Sequence, residues 1–428
     1  MGVQVLSQIL SYTWKPSGGE YGPRKARRQC DYEAYVPDVL TDLPLTLPLG
    51  VTAEVSRAEQ ALTAFEVETE HLDDFEHLAR FLLRAEAVAS SKIEGLQVGP
   101  RRLAQHEVKS RVGIIDSDAT ADAVLGNIAA LRAAVESLAA VAVVDVQAIL
   151  AVHRALMDHS DTRHLSGVIR DQQNWLGGND HNPCGADFVP PPPEYVGDLL
   201  TDLCNFVNRD DLPPVVQAAV AHAQFETIHP FADGNGRTGR ALVSAVLRRR
   251  GLTPHFVPPI SLVLATRARE YVAGLTAFRY VAAPDSPEAT AGVASWIETF
   301  AAATVDAAHE ASELRDAMLA IEAGWREKAS VRRGSAADRL LRVLLGNPVV
   351  TPALVMELTR ASRAAAFAAV DQLVSAGVLS QIGSGARHRL YEARDVLDLL
   401  ADVERSLATP GGDTRTERPA RHVPARRQ

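Results

Sequence analysis

The chain has 428 residues, 46% of them hydrophobic, and a formal net charge of −9. This length predicts two or three domains with buried cores, and the acidic balance argues against a bulk nucleic-acid binder. No run of eighteen apolar residues occurs in the sequence, so a membrane-spanning protein is not expected. The three cysteines, Cys30, Cys184 and Cys204, lack a C-x-x-C spacing and predict free thiols in a reducing compartment, with the cytoplasm as the expected location.

The first 118 residues combine an irregular segment with helices. Residues 1–50 have little periodicity and a basic run at 24–28, so we interpret them as an arm that straps a domain surface. Residues 51–118 form a predicted N-terminal helical region. Within it, 51–95 is helical in two pieces, because apolar side chains recur at three- and four-residue steps, and 96–116 is expected to be a polar connection.

Residues 119–320 are predicted to form a second, mostly helical domain. Ala-rich segments with apolar side chains at helical spacing alternate with short breaks. Helices are predicted over 119–140, 145–157, 195–208, 213–228, 237–250, 260–278 and 289–319.

One small β-hairpin is predicted inside this helical domain. Apolar pieces at 174–176 and 186–189 flank a cluster of turn residues, and the prolines at 190–193 would end the second strand. A lone hairpin is marginally stable by itself, whereas an exposed strand edge can capture an extended peptide. The hairpin is therefore either a docking element or a structural cover over the core.

The pattern changes in the last part of the chain. Residues 335–398 are predicted to form three helices and a hairpin, an order that resembles a winged helix. Thr351 is the expected cap of the second helix, and Pro352 its first residue. The few arginines of residues 335–398 can contact phosphates, but winged helices also dock proteins, so weak DNA binding and protein docking both remain open. Residues 409–428 predict a disordered basic tail.

The most informative stretch is HPFADGNGRTGR at 229–240. Gly234 and Gly236 allow a tight turn and a close approach to a ligand, because they carry no Cβ. The helix predicted to follow offers free N–H groups and its positive dipole end, which bind anions. Arg237 and Arg240 are three residues apart and share a helix face near that anion.

Two further side chains complete a candidate polyphosphate site. Asp233 can hold Mg²⁺, which would bridge to phosphate oxygens, and His229 can accept a proton near neutral pH. The glycines at 234–239 also match the dinucleotide-binding pattern. We reject that interpretation because the preceding run, 215–228, is helix-like, whereas the pattern requires a strand there.

All specified positions of residues 229–240 match the signature H-P-F-x-D/E-G-N-G-R-x-x-R, so the chain resembles the Fic family. The resemblance implies a compact helical domain that transfers AMP from ATP to a protein hydroxyl. It implies that His229 is the general base on the target hydroxyl and that Asp233 holds Mg²⁺. The anion hole and the phosphate clamp would be formed by Gly234, Asn235 and Gly236 and by Arg237 and Arg240, with Arg240 at the γ-phosphate.

A second motif lies upstream of the signature. By position alone, Glu94 would be a surface carboxylate at a helix end that Gly95 caps. Ser90, Glu94 and Gly95 also match [S/T]-x-x-x-E-[G/N], the inhibitory motif that many Fic proteins carry. The resemblance implies that Glu94 pairs with Arg240, occupies the γ-phosphate site and holds ATP in a non-productive pose. It also leaves open that Glu94 polarises a water molecule to remove AMP.

The predicted hairpin resembles the Fic flap, which positions the target segment over the active site. The resemblance rests on G-x-x-R-x-x-Q-N-W at 167–175 and on the following F-V-P-P-P. It makes Asn174, Trp175, Phe188 and Val189 candidates for target contact, with a structural role equally compatible.

The helix predicted over 260–278 has a family counterpart that helps to close the adenine pocket. Tyr271 is therefore a candidate for contact with adenine, although packing in the core is the alternative that we favour for this side chain. The resemblance covers about residues 30–305 as a Fic protein with its N-terminal region, and 335–395 as a winged helix.

The expected fold is mainly α: a helical Fic domain with a small β-hairpin flap, plus a C-terminal winged helix-turn-helix. The expected function is Mg²⁺-dependent transfer of AMP from ATP to Ser, Thr or Tyr of a target protein, restrained by Glu94. Removal of AMP by a water that Glu94 activates is one alternative, and a DNA-binding regulator with a nucleotide-sensing Fic domain is another. The sequence decides neither self-modification nor a homodimer that gates Glu94.

Overall fold

The computed structural model describes residues 7–16, 28–41, 43–70, 75–114, 117–158, 160, 162–179, 181–382 and 389–406. The predicted tail at 409–428, the predicted hairpin turn at 383–386 and most of the basic run at 24–28 lie outside the described residues. None of the helices in the described part of the chain is long and apolar enough to cross a membrane.

The chain is mainly helical, as predicted. The strands are β1 (Gln8–Trp14), β2 (Cys30–Val36), β3 (Val349–Val350), β4 (Ser380–Ile382) and β5 (Leu390–Glu392). The helices are α1 (Leu49–Thr69), α2 (Phe75–Ile93), α3 (Pro100–Arg111), α4 (Ala119–Ala133, followed by a π turn at Ala134–Leu138), α5 (Val146–Met157), α6 (Pro193–Val207), α7 (Pro214–Ile228), α8 (Asn235–Arg249), α9 (Ile260–Thr266), α10 (Ala268–Phe278), α11 (Pro287–Ala329), α12 (Ala336–Gly346), α13 (Pro352–Thr359), α14 (Arg363–Ser375) and α15 (Arg394–Ser406).

These elements are divided between two compact units. The first unit comprises Met1–Gln60, Ala129–Pro254 and Arg269–Ala303. The second unit comprises Ala61–Ile128, His255–Ala268 and Thr304–Gln428.

Helices α7 and α8 form the centre of the first unit. Every side chain of α7 from Val215 to Ile228 is buried, and the Trp296 indole donates to the Ala219 carbonyl at 2.7 Å. The two helices cross closely at Gly239, where a Cβ would lie 2.7 Å from Oε1 of Glu226. This close crossing fixes the position of the loop that joins the two helices.

An antiparallel hairpin of β1 and β2 lies at the start of the first unit. Its register runs from Gln8 opposite Val36 to Trp14 opposite Cys30. An arm was expected at residues 1–50, and this strand pairing was not. The reason is that apolar side chains occur on both faces of β1, with Ile9 47% exposed, so no clean alternation marks the strand.

In the second unit, α2 packs against α9. The Glu86 carboxylate accepts a hydrogen bond from the Ser261 N–H at 2.7 Å, and Ala89 packs against Leu262. Near the C-terminus, helices α12 to α14 are combined with an antiparallel sheet of strand order β3-β5-β4, in which β3 lies between α12 and α13 and the other two strands follow α14. The predicted sequence of three helices and a hairpin is present there, with β3 as an additional short strand.

Three helix predictions need correction. Residues 96–116 contain helix α3, which begins at Pro100, a residue that fits the first turn of a helix. The helix was not predicted because its buried face, which includes Leu103 and Val108, has too few apolar residues to form a visible period. The helix predicted over 260–278 is broken at Arg267, which has φ −111° and ψ 37°. Helix α11 continues ten residues beyond the predicted end at 319, to Ala329.

Candidate functional site

His229 lies where the chain leaves α7. Its backbone is left-handed, at φ 50° and ψ 60°, and its N–H donates to the Phe225 carbonyl at 2.9 Å. A left-handed residue turns the chain away at the end of a helix, and histidine adopts this conformation more readily than most side chains. The half-buried His229 side chain is therefore carried by a fixed backbone corner.

Asn235 closes the loop between His229 and α8. Its Oδ1 accepts from the Phe231 N–H and its Nδ2 donates to the Phe231 carbonyl, both at 2.8 Å. Gly234, just before the helix, has φ 79°, a backbone conformation that glycine adopts without strain. Gly234, Asn235 and Gly236 thus form the N-cap and the first turn of α8, a position at which backbone N–H groups can bind an anion. Their role as an anion hole stays a prediction.

His153 on α5 supports this loop, and the sequence analysis missed it. Its Nδ1 accepts from the Gly167 N–H at 2.9 Å, its Nε2 donates to the Asp233 carbonyl at 3.0 Å, and its ring stacks on Phe231 with the centroids 3.7 Å apart. Burial lowers the pKa of His153 to about 4, so the ring is neutral and both nitrogens keep these roles. A single histidine in an apolar helix gives no sequence signal for such a support.

Two side chains, one from the segment before the flap and one from its first residue, hold the backbone of the motif. Arg170 is buried and donates to the carbonyls of His229 at 2.8 Å and Pro191 at 2.5 Å. The Asn174 amide donates to the carbonyls of His229 at 3.3 Å and Phe231 at 3.1 Å. Arg170 was part of the G-x-x-R-x-x-Q-N-W run but was not predicted as a site residue. Contact of Asn174 with a target stays a prediction.

Asp233 is the carboxylate predicted to hold Mg²⁺. Its side chain is 52% exposed, accepts from the Gly234 N–H at 2.6 Å and lies 3.3 Å from Nη2 of Arg237. Among the described residues, no group of three or more His, Cys, Asp and Glu side chains could hold a metal ion. A single exposed carboxylate fits Mg²⁺, since this ion commonly binds through one or two carboxylates together with water and substrate phosphates.

Arg237 and Arg240 lie three residues apart on α8 and are both buried. The pKa of His222 on α7 is lowered to about 3, mainly by burial and further by the Arg240 charge. The Tyr271 hydroxyl is hydrogen-bonded to His222 Nε2 at 2.8 Å, and its ring packs against Trp296 with the centroids 6.0 Å apart. Tyr271 thus lies in the packed interior, the alternative that we favoured, and its contact with adenine stays a prediction.

The flap, residues 174–189, is a minimal hairpin. In its described residues the strand pairing is one antiparallel bridge, with the Leu176 N–H donating to the Phe188 carbonyl at 2.8 Å. The half-buried Trp175 donates its indole N–H to the Asn179 carbonyl at 2.7 Å. The predicted hairpin is confirmed, although most of it is turn and loop.

The second half of the flap is joined to β2. The Tyr35 N–H donates to the carbonyl of the buried Val189 at 3.0 Å, and Cys30 forms a disulfide with Cys184, with their Cα atoms 6.0 Å apart. The prediction of free thiols is therefore wrong for these two cysteines. Their positions are 154 residues apart, and such a pairing is set by the tertiary fold rather than by sequence spacing. Cys204 is free and buried.

A groove of about 850 Å³ follows the first half of the flap. Its walls include Arg170, Asn174 and Trp175, and it extends to Ala232 inside the motif. A polypeptide segment placed in this groove would lie beside both the flap and the motif loop.

The predicted inhibitory motif lies at the end of α2. Gly95 follows this helix with φ 80°, and its N–H donates to the Lys92 carbonyl at 2.9 Å, which is the geometry of a C-terminal cap. Ser90 is buried and Glu94 is exposed. Pairing of Glu94 with Arg240 stays a prediction.

Two family models match the chain. The Fic/DOC family model matches residues 143–247, and the Fic/DOC family N-terminal model matches residues 52–136. The chain therefore contains a Fic/DOC domain and the N-terminal region of that family. The first match contains the whole motif from His229 to Arg240, and the second contains Ser90 and Glu94.

Curated relatives resemble parts of this Fic protein. Protein adenylyltransferase fic-1 of Caenorhabditis briggsae is 35% identical over 135 residues, which is 31% of this chain and 24% of that protein. A probable protein adenylyltransferase of Aquifex aeolicus is 45% identical over 69 residues, 16% of this chain and 22% of that protein. The chain thus spans about a quarter of the length of the curated relatives that it matches.

A solved structure shares the fold. The crystal structure of a Fic family protein from Desulfovibrio desulfuricans G20 matches with a TM-score of 0.50 and 19% sequence identity. The match covers 82% of this chain and 98% of that chain. At this level of identity the similarity shows the fold alone.

The C-terminal elements of this Fic protein border a larger groove in the second unit. It has a volume of about 990 Å³ and is lined by Arg111, Arg363 and Arg389 together with Phe367 and Glu357. Cationic side chains around a partly apolar groove are compatible with docking of an anionic partner. DNA binding and protein docking by residues 335–398 both stay predictions.

Proposed function

We propose that this Fic protein transfers AMP from ATP to a hydroxyl side chain, Ser, Thr or Tyr, of a target protein. The observation that carries the proposal is the junction of α7 and α8. A histidine at a left-handed corner there precedes a helix N-terminus whose first two turns carry Arg237 and Arg240. Relatives that bear the name protein adenylyltransferase support the same activity.

The residues of this junction divide the reaction between them. The N–H groups of α8 and its two arginines bind and orient the triphosphate, so that positioning and charge neutralisation supply most of the acceleration. His229 accepts the proton of the target hydroxyl while that oxygen bonds to the α-phosphorus and pyrophosphate leaves. Asp233 would hold Mg²⁺, which would supply neutralisation of phosphate charge.

The target approaches, on this proposal, through the groove beside the flap. An extended segment can pair its main chain with a flap strand, and the groove wall then places its hydroxyl near the motif loop. Trp175 lines the groove, whereas Phe188 and Val189 lie on the half of the flap that is joined to β2. We therefore expect target contact mainly at residues 174–179, and a supporting role for Phe188 and Val189.

We propose further that Glu94 restrains the transfer. A carboxylate that forms a fork with Arg240 would occupy the site of the γ-phosphate and would leave ATP in a pose that cannot react. The motif match at Ser90, Glu94 and Gly95 supports this, as does the match of residues 52–136 to the N-terminal family model.

The test uses purified wild type, Glu94→Gly and Glu94→Gly/His229→Ala with α-labelled ATP, Mg²⁺ and cell lysate as the source of targets. We expect protein labelling by Glu94→Gly, little by wild type and a loss of about 10²–10⁴-fold in the double variant, because the base is gone. Glu76→Gly is the matched control, since it places glycine at an exposed glutamate in the first turn of the same helix and should leave labelling at the wild-type level.

Absence of label in every sample would contradict the transfer reaction. Loss of AMP from a previously labelled protein, dependent on Glu94, would instead favour the reverse reaction. Equal labelling by wild type and Glu94→Gly would leave the transfer in place and overturn the restraint.

A further inference from the structure

The flap is covalently tied to the N-terminal hairpin. Cys30 is the first residue of β2, and Cys184 lies in the turn region between the two halves of the flap. The disulfide closes a loop of 154 residues, so it joins two segments that the chain itself connects only at long range. Nothing in the proposed reaction requires this bond.

Noncovalent contacts also hold the flap, among them a hydrogen-bonded turn formed by Asn179, Asn182 and Cys184. One backbone hydrogen bond joins Tyr35 to Val189, and the Arg279 guanidinium stacks over the Phe188 ring at 3.7 Å. The flap itself has one strand bridge, at Leu176 and Phe188, among its described residues. The disulfide is the covalent one among these contacts, so its reduction removes a restraint on motion of the flap relative to β2.

Both sulfur atoms belong to half-buried residues, whereas the third cysteine is enclosed. Cys30 and Cys184 are partly exposed residues, whereas Cys204 is buried, so of the three cysteines the bonded pair is the one nearer to solvent. Burial raises the pKa of Cys204 to about 12, which keeps it a thiol at neutral pH and removes it from exchange. Since the sequence has three cysteines, redox chemistry of this chain centres on one pair.

We infer that Cys30 and Cys184 form a thiol–disulfide exchange site that sets the mobility of the flap and thereby the capture of the target. A dithiol reductant attacks one sulfur, displaces the other as a thiol and then closes its own disulfide. Two electrons and two protons pass from the dithiol to the protein, which gains two cysteine thiols. The reverse exchange with an oxidised dithiol restores the tie.

The two states differ at the flap and not at the phosphate site. The loop between His229 and α8 is held by Asn235, Arg170, His153 and Asn174. Asn174 is the first residue of the flap, whereas Cys184 lies ten residues further on, in the turn region. Reduction is therefore expected to weaken use of the target while leaving ATP binding unchanged. This consequence rests on the proposed function, whereas the change in mobility does not.

The first experiment measures amide hydrogen exchange by mass spectrometry on the full chain, oxidised and after treatment with dithiothreitol. We expect exchange of residues 176–189 to accelerate by about tenfold or more on reduction, since opening of this segment becomes easier. Cys184→Ser should exchange at the faster rate in both conditions. Cys204→Ala, the matched control, should respond to dithiothreitol like wild type.

Equal exchange of the flap in the oxidised and reduced protein would overturn the inference. So would a non-reducing peptide map of the oxidised protein without a Cys30–Cys184 linked peptide. Neither measurement needs catalytic activity, so both outcomes are independent of the proposed function.

The second experiment compares Glu94→Gly with Glu94→Gly/Cys184→Ser in the labelling of lysate proteins with α-labelled ATP. We expect Glu94→Gly/Cys184→Ser, which lacks the disulfide, to label proteins more slowly at low lysate concentration and to have the same KM for ATP. Equal labelling by the two variants at every lysate concentration would overturn the inference that the disulfide affects capture of the target. Absence of label in both proteins, together with a flap that responds to dithiothreitol, would instead overturn the proposed function and leave the exchange site standing.

Discussion

The motif loop, residues 229–236, and the flap, residues 174–189, lie in the same unit but are held by different kinds of contact. Two hydrogen bonds between Asn235 and Phe231 hold the motif loop internally. His153 on α5 and Arg170 before the flap donate further hydrogen bonds to its backbone. The flap has one strand bridge among its described residues and a hydrogen-bonded turn around Asn179. It is joined to β2 by the disulfide, to Arg279 by the stack on Phe188, and to the motif loop by Asn174.

This difference matches the two tasks that we propose. A group that removes a proton must stay within hydrogen-bond reach of its target atom, so the loop that carries it gains from buried polar supports. A segment that admits different polypeptides gains from fewer fixed contacts. Buried networks therefore belong at the motif and adjustable contacts at the flap, and the following changes test that division.

The largest effect is expected from Arg170→Met. The guanidinium donates to the consecutive carbonyls of Ile228 and His229, where α7 meets the motif loop, and to the Pro191 carbonyl just after the flap. Methionine leaves those carbonyls without a charged donor. We expect a loss of about 1.5–3 kcal/mol in the free energy of unfolding and a clear loss of AMP transfer. Chemical denaturation and the labelling assay measure the two effects.

Arg163→Met is the matched control for this change. Arg163 is exposed and lies seven residues earlier in the same segment, so the variant should keep both stability and activity. If both variants behaved like wild type, the supports of the motif loop would be dispensable and the contrast with the flap would fail.

Gly239→Ala tests the crossing of α7 and α8 that carries the motif loop. The added Cβ would lie 2.7 Å from Oε1 of Glu226 and 2.9 Å from Cδ1 of Phe225. We expect destabilisation of about 1–3 kcal/mol, because a close-packed crossing has no room for a methyl group. Gly197→Ala on α6 is the control, since nothing lies within 4 Å of its added Cβ, and it should be neutral or stabilising. Equal thermal stability of the two variants would show that the helices can separate.

The stability of the α7–α8 core should depend on pH through His222. Burial lowers its pKa to about 3, far below its ordinary value near 6.5, so the unfolded chain binds the proton first as the pH falls. His222 therefore contributes full stability above about pH 6.5 and loses it between pH 6.5 and pH 3, by about 1.4 kcal/mol per pH unit.

The His222→Asn variant sharpens this measurement. Its free energy of unfolding, measured from pH 7 to pH 4, should fall less steeply than that of wild type. The difference in slope should be about 1.4 kcal/mol per pH unit, which corresponds to one proton. The carboxylates titrate alike in both proteins and cancel in the comparison. Identical slopes would show that His222 takes up its proton in the folded state as well.

The smallest effect is expected from Arg279→Lys at the flap. Lysine keeps the charge but loses the planar stack on Phe188, a contact that contributes about 0.5–1 kcal/mol. We expect faster amide exchange in the flap and unchanged exchange at the motif loop. Arg269→Lys, on the exposed surface of α10, is the control. Faster exchange in the motif loop as well would mean that the two regions open together.

The sequence by itself predicted the mainly helical fold, the flap and the motif. The reason is that these features are local. A helix is marked by its apolar period, and residues 229–240 place the predicted base, metal ligand and phosphate-binding groups within twelve consecutive positions. The short helix α3 escaped detection because its buried face has few apolar residues.

Only the tertiary structure placed the supports around that motif. His153 and Arg170 are 76 and 59 residues away from His229 in the chain, and their roles depend on which backbone groups the fold brings within hydrogen-bond distance. The same holds for Cys30 and Cys184, whose separation of 154 residues carries no pairing signal. Local sequence pattern thus determined which functional groups the motif contains. Long-range packing decided how rigidly the motif loop and the flap are held, because contacts between distant segments form only in the folded chain.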